Sequence, residues 1–281
     1  MENLNQNQFL KTKYNQIKIL KNDKIKLVYL AERIKDNEKV IIKEINLENL
    51  KENEKLIISQ EGMSLTEFHN TNIINLFEFF IENKKAYIIT EYAENGNLSN
   101  KIQKQKDKNE TFDEKDIIEW IIDICEGLKF IHENNIKHKD LRLNNIYITK
   151  NNKIKLGNFG IEKLINSQKE DTESNIYLSP EKIKGEECNN KTDIWNLGII
   201  LYELTQLCHP FFDEEINIET IKENIEKVDL LEFININYSA RLLNLIKSLF
   251  ILDPNKRPEI NKILLESYTI LIKRDSHSKR K

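Results

Sequence analysis

Residues 138–145 of the chain read HKDLRLNN, and this stretch with its neighbours is the most informative about the fold. It follows the segment FDEKDIIEWIIDICEGLKFIHENN (112–135), whose apolar residues recur at the period of an amphipathic helix with an aspartate at its start. The short apolar runs NNIYIT (144–149) and KIKL (153–156) come next and favour strands. The polar residues at 138–145 are therefore predicted to form a loop between a long helix and a short strand.

The sequence before residue 94 has the pattern of a sheet. The charged segment from about Glu48 to Phe68 has helical spacing, so we expect one helix there. Five other runs are rich in branched and aromatic residues and favour antiparallel strands. They are YNQIKIL (14–20), IKLVYLAERI (25–34), KVIIKEINL (39–47), IINLFEFFI (73–81) and KAYIITEY (85–92).

Helical patterns dominate the rest of the chain and resume with TDIWNLGIILYELTQL (192–207). The predicted fold class is α+β. A small antiparallel five-stranded β lobe with one helix precedes a larger, mainly α-helical lobe.

The length of 281 residues leaves little room for a second module. The last residues, RDSHSKRK, are polar and basic, and they favour a frayed terminus. We therefore expect a single domain over residues 1–281, with an N-terminal lobe at about 10–93, a C-terminal lobe at about 94–271 and a tail at 272–281.

The bulk composition argues against several classes of partner. Charged residues are 32% of the chain and the formal net charge is only −3, so no global field recruits nucleic acid or a membrane surface. No run approaches the roughly 18 apolar residues of a membrane span, and we expect an intracellular, cytoplasmic protein. The three cysteines, Cys125, Cys188 and Cys208, are far apart and favour reduced thiols over disulfides or a zinc site.

Other motifs surround the loop in a fixed order. They are Lys43 in VIIKEI, Glu61, NFG (158–160), SPE (179–181), DIWNLG (193–198) and DPNKRP (253–258). In this order they resemble the protein kinase domain. SPE and NKRPEINKIL look most like the NimA-related group of serine/threonine kinases. The resemblance implies the bilobal fold of that family.

The resemblance assigns chemistry to the loop. Asp140 matches the base that accepts the proton of a substrate hydroxyl, and Arg142 would offset charge on the transferred group. Asn145 matches a residue that offers its amide oxygen to magnesium, and position 158 matches a second metal ligand.

The resemblance also assigns residues to ATP. Lys43, paired with Glu61, would extend toward the α and β phosphates. Ile41 stands where kinases usually carry alanine over the adenine ring, with Val28 beside it and Tyr147 as the floor. The full cofactor-binding set implied is Leu20, Val28, Ile41, Lys43, Glu61, Glu91, Ala93 and Tyr147.

Two structural groups follow from the same resemblance. Glu181 and Arg257 match a pair that forms a buried ion bridge in the large lobe, where loss of one partner would strand a buried charge. A spine of stacked side chains would consist of Leu65, Leu76, His138 and Phe159.

The sequence departs from the family pattern where phosphates and metal would bind. All seven glycines lie at or beyond Gly62, and Lys21, Asp23 and Lys26 stand where the family has loop glycines. Those glycines let the backbone approach phosphate groups. Asn158 replaces the aspartate that holds magnesium, and an amide has no net charge. We therefore expect ATP and magnesium to bind weakly or not at all.

Two hypotheses follow. The first is a pseudokinase, a catalytically impaired kinase fold that acts in signalling as a regulatory or scaffolding module with protein partners. The alternative is a slow, ATP-dependent serine/threonine kinase with a protein substrate. Lys139 replaces an arginine that grips phosphate in many kinases, so we do not expect control through Thr172 or Ser174. The sequence names no substrate, partner or oligomeric state.

Overall fold

A computed structural model of the chain describes residues 8–22, 26–158, 176–212, 218–228, 233 and 237–278. The chain divides into two compact units, and each has its own apolar core. The small unit comprises Met1–Asn70 and Ile74–Ala93, and the large unit comprises Thr71–Ile73 and Glu94–Lys281.

The small unit is built on a five-stranded antiparallel sheet with the order β1-β2-β3-β5-β4. All five predicted strand runs form strands, because their branched and aromatic residues suit a half-buried pleated surface. The strands are β1 Tyr14–Asn22, β2 Lys26–Arg33, β3 Lys39–Asn46, β4 Leu76–Glu82 and β5 Lys85–Glu91.

One face of this sheet is covered by a short helix that the sequence did not predict. The helix α1, Gln8–Lys13, places Phe9 edge-to-face against Phe80 at 5.3 Å between ring centroids. Six residues are too few for a helix to be stable alone, so its stability comes from this packing. The cluster beneath it consists of Leu10, Tyr14, Tyr29, Ala31, Val40, Ile42, Tyr87 and Ile89.

The predicted helix of the small unit is α2, Glu52–Leu65. It lies close to β4 at Gly62, where a Cβ atom would stand 2.5 Å from the ring of Phe79. Any larger residue would push the helix away from the strand. Glycine at this position therefore fixes the height of α2 above the sheet.

The large unit is mainly helical, so the predicted α+β architecture is confirmed. A short hairpin pairs β6, Ile146–Ile148, with β7, Ile154–Leu156. The helices in the described part of this unit are α3 Leu98–Lys108, α4 Glu114–Glu133, α5 Pro180–Ile183, α6 Asn190–Gln206, α7 Ile218–Glu226, α8 Ala240–Leu249 and α9 Ile260–Ser278.

Helix α4 supports the loop at residues 138–145. Asp113 caps its N-terminus by accepting a hydrogen bond from the backbone N of Lys115, as the aspartate in the sequence predicted. Farther along, the carboxylate of Asp123 accepts from the backbone N of Ile154 at 3.0 Å. This bond fastens the β6–β7 hairpin, and with it the end of the loop, to the central helix.

The buried ion pair predicted from the sequence is confirmed. Arg257 donates from Nη1 and Nη2 to the two carboxylate oxygens of Glu181, at 2.9 and 2.7 Å. Burial, the largest single influence, acts to raise the pKa of Glu181, but the hydrogen bonds and charge of Arg257, together with hydrogen bonds from the backbone and from Thr192, hold the pKa below its ordinary value. The pair ties the start of α5 to the segment before α9.

The C-terminal helix is longer than the sequence predicted. Residues 272–278, expected in a frayed tail, continue α9. Arg274 holds this last turn, since its guanidinium lies 2.9 Å from the carboxylate of Asp113 and 3.7 Å from that of Glu114. Within the described residues, no helix is both long enough and apolar enough to cross a membrane.

Candidate functional site

One face of the small-unit sheet brings together three residues of the predicted site. Val28 on β2 pairs with Lys43 on β3, so their side chains lie on the same face. Ile41, two residues before Lys43, shares that face because side chains alternate along a strand. Lys43 is only 8% exposed. The face thus presents a buried cation beside two branched apolar side chains, an arrangement that suits a ligand with apolar and anionic parts.

The other predicted residues of the small unit lie on β1, on α2, and on or just after β5, the strand that pairs with β3. Leu20 on β1 is half exposed, and Ala93 is buried. The carboxylate of Glu91 accepts a hydrogen bond from the amide of Asn75 at 2.7 Å. Glu61 belongs to α2, but its side chain lies outside the described residues. Its pairing with Lys43 stays a prediction.

The turn between β1 and β2 is where the family pattern has glycines. Lys21 pairs with Val28 near the end of β1, and Lys26 begins β2 opposite Ile45. Asp23 lies outside the described residues. Two of the three replaced positions therefore lie within strands of the sheet, where glycine would weaken the pairing.

The loop at 138–145 is anchored at its start by Asp193. Its Oδ2 accepts from the backbone N of His138 at 3.2 Å and lies 2.8 Å from Nε2 of His132. Burial lowers the pKa of the His138 ring, so this ring is neutral at pH 7. The next residue, Lys139, adopts a φ of 65°, which a residue with a side chain rarely does. The anchor holds the loop in this strained form.

Two side chains of the loop converge on the carboxylate of Asp140. The Nδ2 atom of Asn145 donates to Oδ2 and to the backbone O of Asp140, at 2.7 Å each. Nε of Arg142 lies 3.4 Å from the same Oδ2. The side chain of Asp140 keeps 14% of its surface exposed. A carboxylate held in this way can accept a proton from a neighbouring hydroxyl.

Asn158 is hydrogen-bonded to the predicted metal ligand. Its Nδ2 donates to Oδ1 of Asn145 at 2.7 Å and to the hydroxyl of Tyr147 at 3.3 Å. Its φ is 60°, a left-handed conformation that asparagine and aspartate tolerate better than most residues. A continuous series of hydrogen bonds therefore links the side chains of Asp140, Asn145, Asn158 and Tyr147.

The pairing of donors with acceptors fixes the orientation of the side-chain amides of Asn145 and Asn158. Asn145 must turn its NH2 group toward Asp140, because a carboxylate and the backbone O are both acceptors. Its oxygen then faces Asn158. Two carbonyl oxygens would repel at 2.7 Å, so Asn158 must turn its NH2 group toward Asn145.

Comparison with known proteins now decides the family. The sequence pattern of the family described as "Protein kinase domain" matches residues 14–269. The chain belongs to the protein kinase domain family. Most of both units of the kinase domain lie within the matched residues.

The curated relatives are NimA-related serine/threonine kinases, as predicted. Over 259 residues, 38% are identical to serine/threonine-protein kinase Nek5 of Homo sapiens, and the alignment covers 90% of this chain and 36% of that protein. Probable serine/threonine-protein kinase nek3 of Dictyostelium discoideum is 37% identical over 260 residues, or 90% of this chain and 23% of that protein. Nek1 of Mus musculus is 34% identical over 245 residues, or 85% and 20%. The kinase domain thus spans between one fifth and two fifths of the length of these relatives.

Protein kinases use ATP with magnesium, but the metal-site residues of this kinase domain do not fit the ion as they stand. Magnesium prefers anionic oxygen ligands. Neither Asn145 nor Asn158 carries a charge, and the oxygen of the first accepts the amide of the second. A metal at Asn145 would have to share that oxygen with the amide of Asn158 or displace it. No described group of three His, Cys, Asp or Glu residues offers another metal site.

Two positioning contacts in the large unit were missed by sequence reasoning. Asp193, which anchors His138, belongs to the DIWNLG motif, but the motif alone did not assign it a role. Asn97 caps α3 and directs its Nδ2 to the backbone O of Asn144 at 3.4 Å. Asn97 lies in the turn-like stretch ENGN (94–97), and nothing in the spacing of this stretch indicates a contact with the distant loop.

Some predicted residues of the kinase domain lie outside the described residues. Phe159 is one, so its spine with Leu65, Leu76 and His138 stays a prediction, although those three are buried. Thr172 and Ser174 are also outside.

The contact between Tyr177, which is buried, and Glu203, which is partly exposed, predicts a pH-dependent stability. Tyr177 donates to Glu203 at 2.5 Å, and burial raises the pKa of Glu203 to about 8 despite this bond. The ordinary pKa of a glutamate is 4.5, so between pH 4.5 and pH 8 Glu203 is ionised in the unfolded chain but protonated in the folded chain. The free energy of unfolding therefore falls as the pH rises through this range. The melting temperature of Glu203→Gln minus that of wild type should therefore be about 2–4 °C larger at pH 8 than at pH 5.

Differential scanning fluorimetry of both proteins at the two pH values measures this gain. Glu219→Gln, at an exposed position on α7, is the matched control and should give none. An equal change in both variants would contradict the ionisation of Glu203 as the cause.

Proposed function

We propose that this kinase domain is a pseudokinase, a catalytically impaired member of the family that serves as a regulatory or scaffolding module in signalling through protein partners. It would act inside the cell, as a single module built from both units. ATP would bind weakly, and magnesium would contribute little to that binding.

The hydrogen bond from Asn158 to Asn145 carries this proposal. In the family pattern, position 158 supplies a negative oxygen to the metal. Here it supplies a donor instead, and that donor takes the oxygen that Asn145 would offer. The substitution therefore removes one anionic ligand and makes a second ligand compete with a hydrogen bond, which is a larger loss than the change of charge alone.

The small unit supports the same proposal. Lys21 and Lys26 lie in strands where backbone amides would otherwise approach phosphates. Ile41 adds bulk to the face that holds Lys43, and extra methyl groups in a packed site typically cost about 1–3 kcal/mol. Each change lowers the affinity for nucleotide, and their combination suits a role that does not need turnover.

A specific observation keeps the second hypothesis, a slow serine/threonine kinase, in view. Asp140 is held ready as a proton acceptor, with Arg142 and Asn145 against its carboxylate. In an active chain, Asp140 would orient a serine or threonine hydroxyl and accept its proton, while Arg142 would offset negative charge nearby. Lys43 would position the phosphates.

Phosphate transfer from radiolabelled ATP to a generic protein substrate separates the two hypotheses. The purified chain is compared with Asp140→Asn, which keeps the size of the side chain but removes the base. The pseudokinase proposal predicts that the two proteins transfer label at the same background rate. Wild-type transfer about 100-fold or more above Asp140→Asn would establish the slow kinase instead.

A further inference from the structure

A groove far in sequence from the loop lies between helices α8 and α9 of the large unit. Its volume is about 250 Å³. Leu245, Ile263 and Pro258 form its floor, and the first two are at most 5% exposed. Arg241 and Lys262 line the exposed rim. The groove thus combines an apolar base with a charged mouth.

The two rim cations have no partner within the described part of the chain. Neither Arg241 nor Lys262 has a hydrogen bond or ion pair from its side chain to a described residue, and Glu266, one turn beyond Lys262, does not pair with it. The other described cations of residues 240–274 do have partners. They are Lys247 over the ring of Phe233, Lys256 with Asp253, Arg257 with Glu181, Arg274 with Asp113, and Lys273.

The groove therefore carries two cations that have no partner among the described residues. Two cations and one carboxylate, Glu266, line it, which leaves a local charge of +1. Two cations are too few to hold a polyanion such as nucleic acid, whose binding depends on many phosphate contacts, and they favour a small acidic ligand.

The size of the groove restricts the ligand further. Drug-sized molecules and cofactors occupy roughly 300–1,000 Å³, more than this groove offers. One apolar side chain with its flanking backbone fits the volume better. Carboxylates on either side of it could then reach Arg241, whose planar fork binds a carboxylate through two hydrogen bonds, and Lys262.

We propose that the groove between α8 and α9 binds a short acidic peptide segment of a protein partner, with one apolar side chain on Leu245, Ile263 and Pro258 and carboxylates on Arg241 and Lys262. Such a segment would give the kinase domain a docking point away from its loop. Binding here does not depend on phosphate transfer, so it holds for a pseudokinase and for a slow kinase alike.

Fluorescence polarisation with labelled pentapeptides tests the proposal. The acidic probe EELEE should bind, whereas EEGEE, which lacks the apolar side chain, and KKLKK, with reversed charge, should each bind about tenfold more weakly or not at all. Arg241→Glu with Lys262→Glu should weaken EELEE by about tenfold or more. Ser248→Phe, which fills the groove and keeps both cations, should weaken it as much.

The double variant Lys222→Glu with Lys227→Glu is the matched control, because it makes the same charge change at exposed positions on and just after α7. It should leave the affinity for EELEE unchanged. Melting temperatures confirm that each variant is folded. Equal binding of the three peptides, no binding of EELEE, or equal losses in the groove and control variants would overturn the proposal.

Discussion

Replacing Arg257 with methionine should lower the free energy of unfolding by about 3–5 kcal/mol. The five N–H donors of its guanidinium all have acceptors: both oxygens of Glu181 and the backbone oxygens of Ile251, Lys191 and Leu252. Methionine is unbranched and apolar like the stem of arginine, but it is shorter and offers no donor. It would leave the carboxylate of Glu181 buried with Thr192 as its remaining side-chain donor.

Urea unfolding of wild type and Arg257→Met measures the loss. The variant Arg257→Met with Glu181→Gln should recover part of the stability, because no buried charge remains. Arg257→Lys should still be destabilised, since one ammonium cannot replace a fork that contacts four groups. A loss below about 1 kcal/mol for Arg257→Met would show that the pair contributes no more than an exposed salt bridge.

Ionic and apolar contacts of the fold were predictable to different degrees. Glu181 and Arg257 are 76 positions apart, yet family motifs located both. The helices α1 and α3 were missed for a physical reason. Helix α3 has only two apolar residues, Leu98 and Ile102, and two are too few to single out a helix in an otherwise polar segment. Helix α1 has six residues and depends on tertiary packing, which local pattern does not reveal.

The candidate site was predictable as a set of residues but not as a network. The motifs located Asp140, Asn145, Tyr147 and Asn158 by number. That the amide of Asn158 donates to Asn145 depends on the orientation of both side chains, and that orientation depends on the donors of Asn145 being used by Asp140. Linked side-chain orientations of this kind follow from atomic positions and not from the sequence pattern. The expectation of weak metal binding rested on charge alone, and the geometry adds a second reason.

Substituting Asn158 with aspartate should raise the affinity for magnesium, in the presence of ATP, by at least about tenfold. The carboxylate supplies a negative ligand and removes the NH2 group that holds Oδ1 of Asn145. Aspartate also tolerates the φ of 60° at this position. Isothermal titration calorimetry with magnesium at constant ATP concentration measures the change in affinity.

Asn158→Gly separates the two effects of this substitution. Glycine adopts the same φ without strain and removes the donor, but it adds no charge. A partial gain in Asn158→Gly would show that the released Asn145 contributes by itself. If Asn158→Asp gains nothing, the defect lies elsewhere, at Ile41 or in the turn where Lys21 and Lys26 replace glycines.

The most direct test of an impaired, metal-poor nucleotide site is a thermal-shift titration of the wild-type chain with millimolar ATP, with and without magnesium. A ligand that binds the folded state but not the unfolded state raises the melting temperature, and the rise grows with the ratio of ligand concentration to Kd. We predict that any rise with ATP is small and the same with and without magnesium, because Asn158 occupies Oδ1 of Asn145. A large rise that requires magnesium would contradict the impaired site and point to a working kinase.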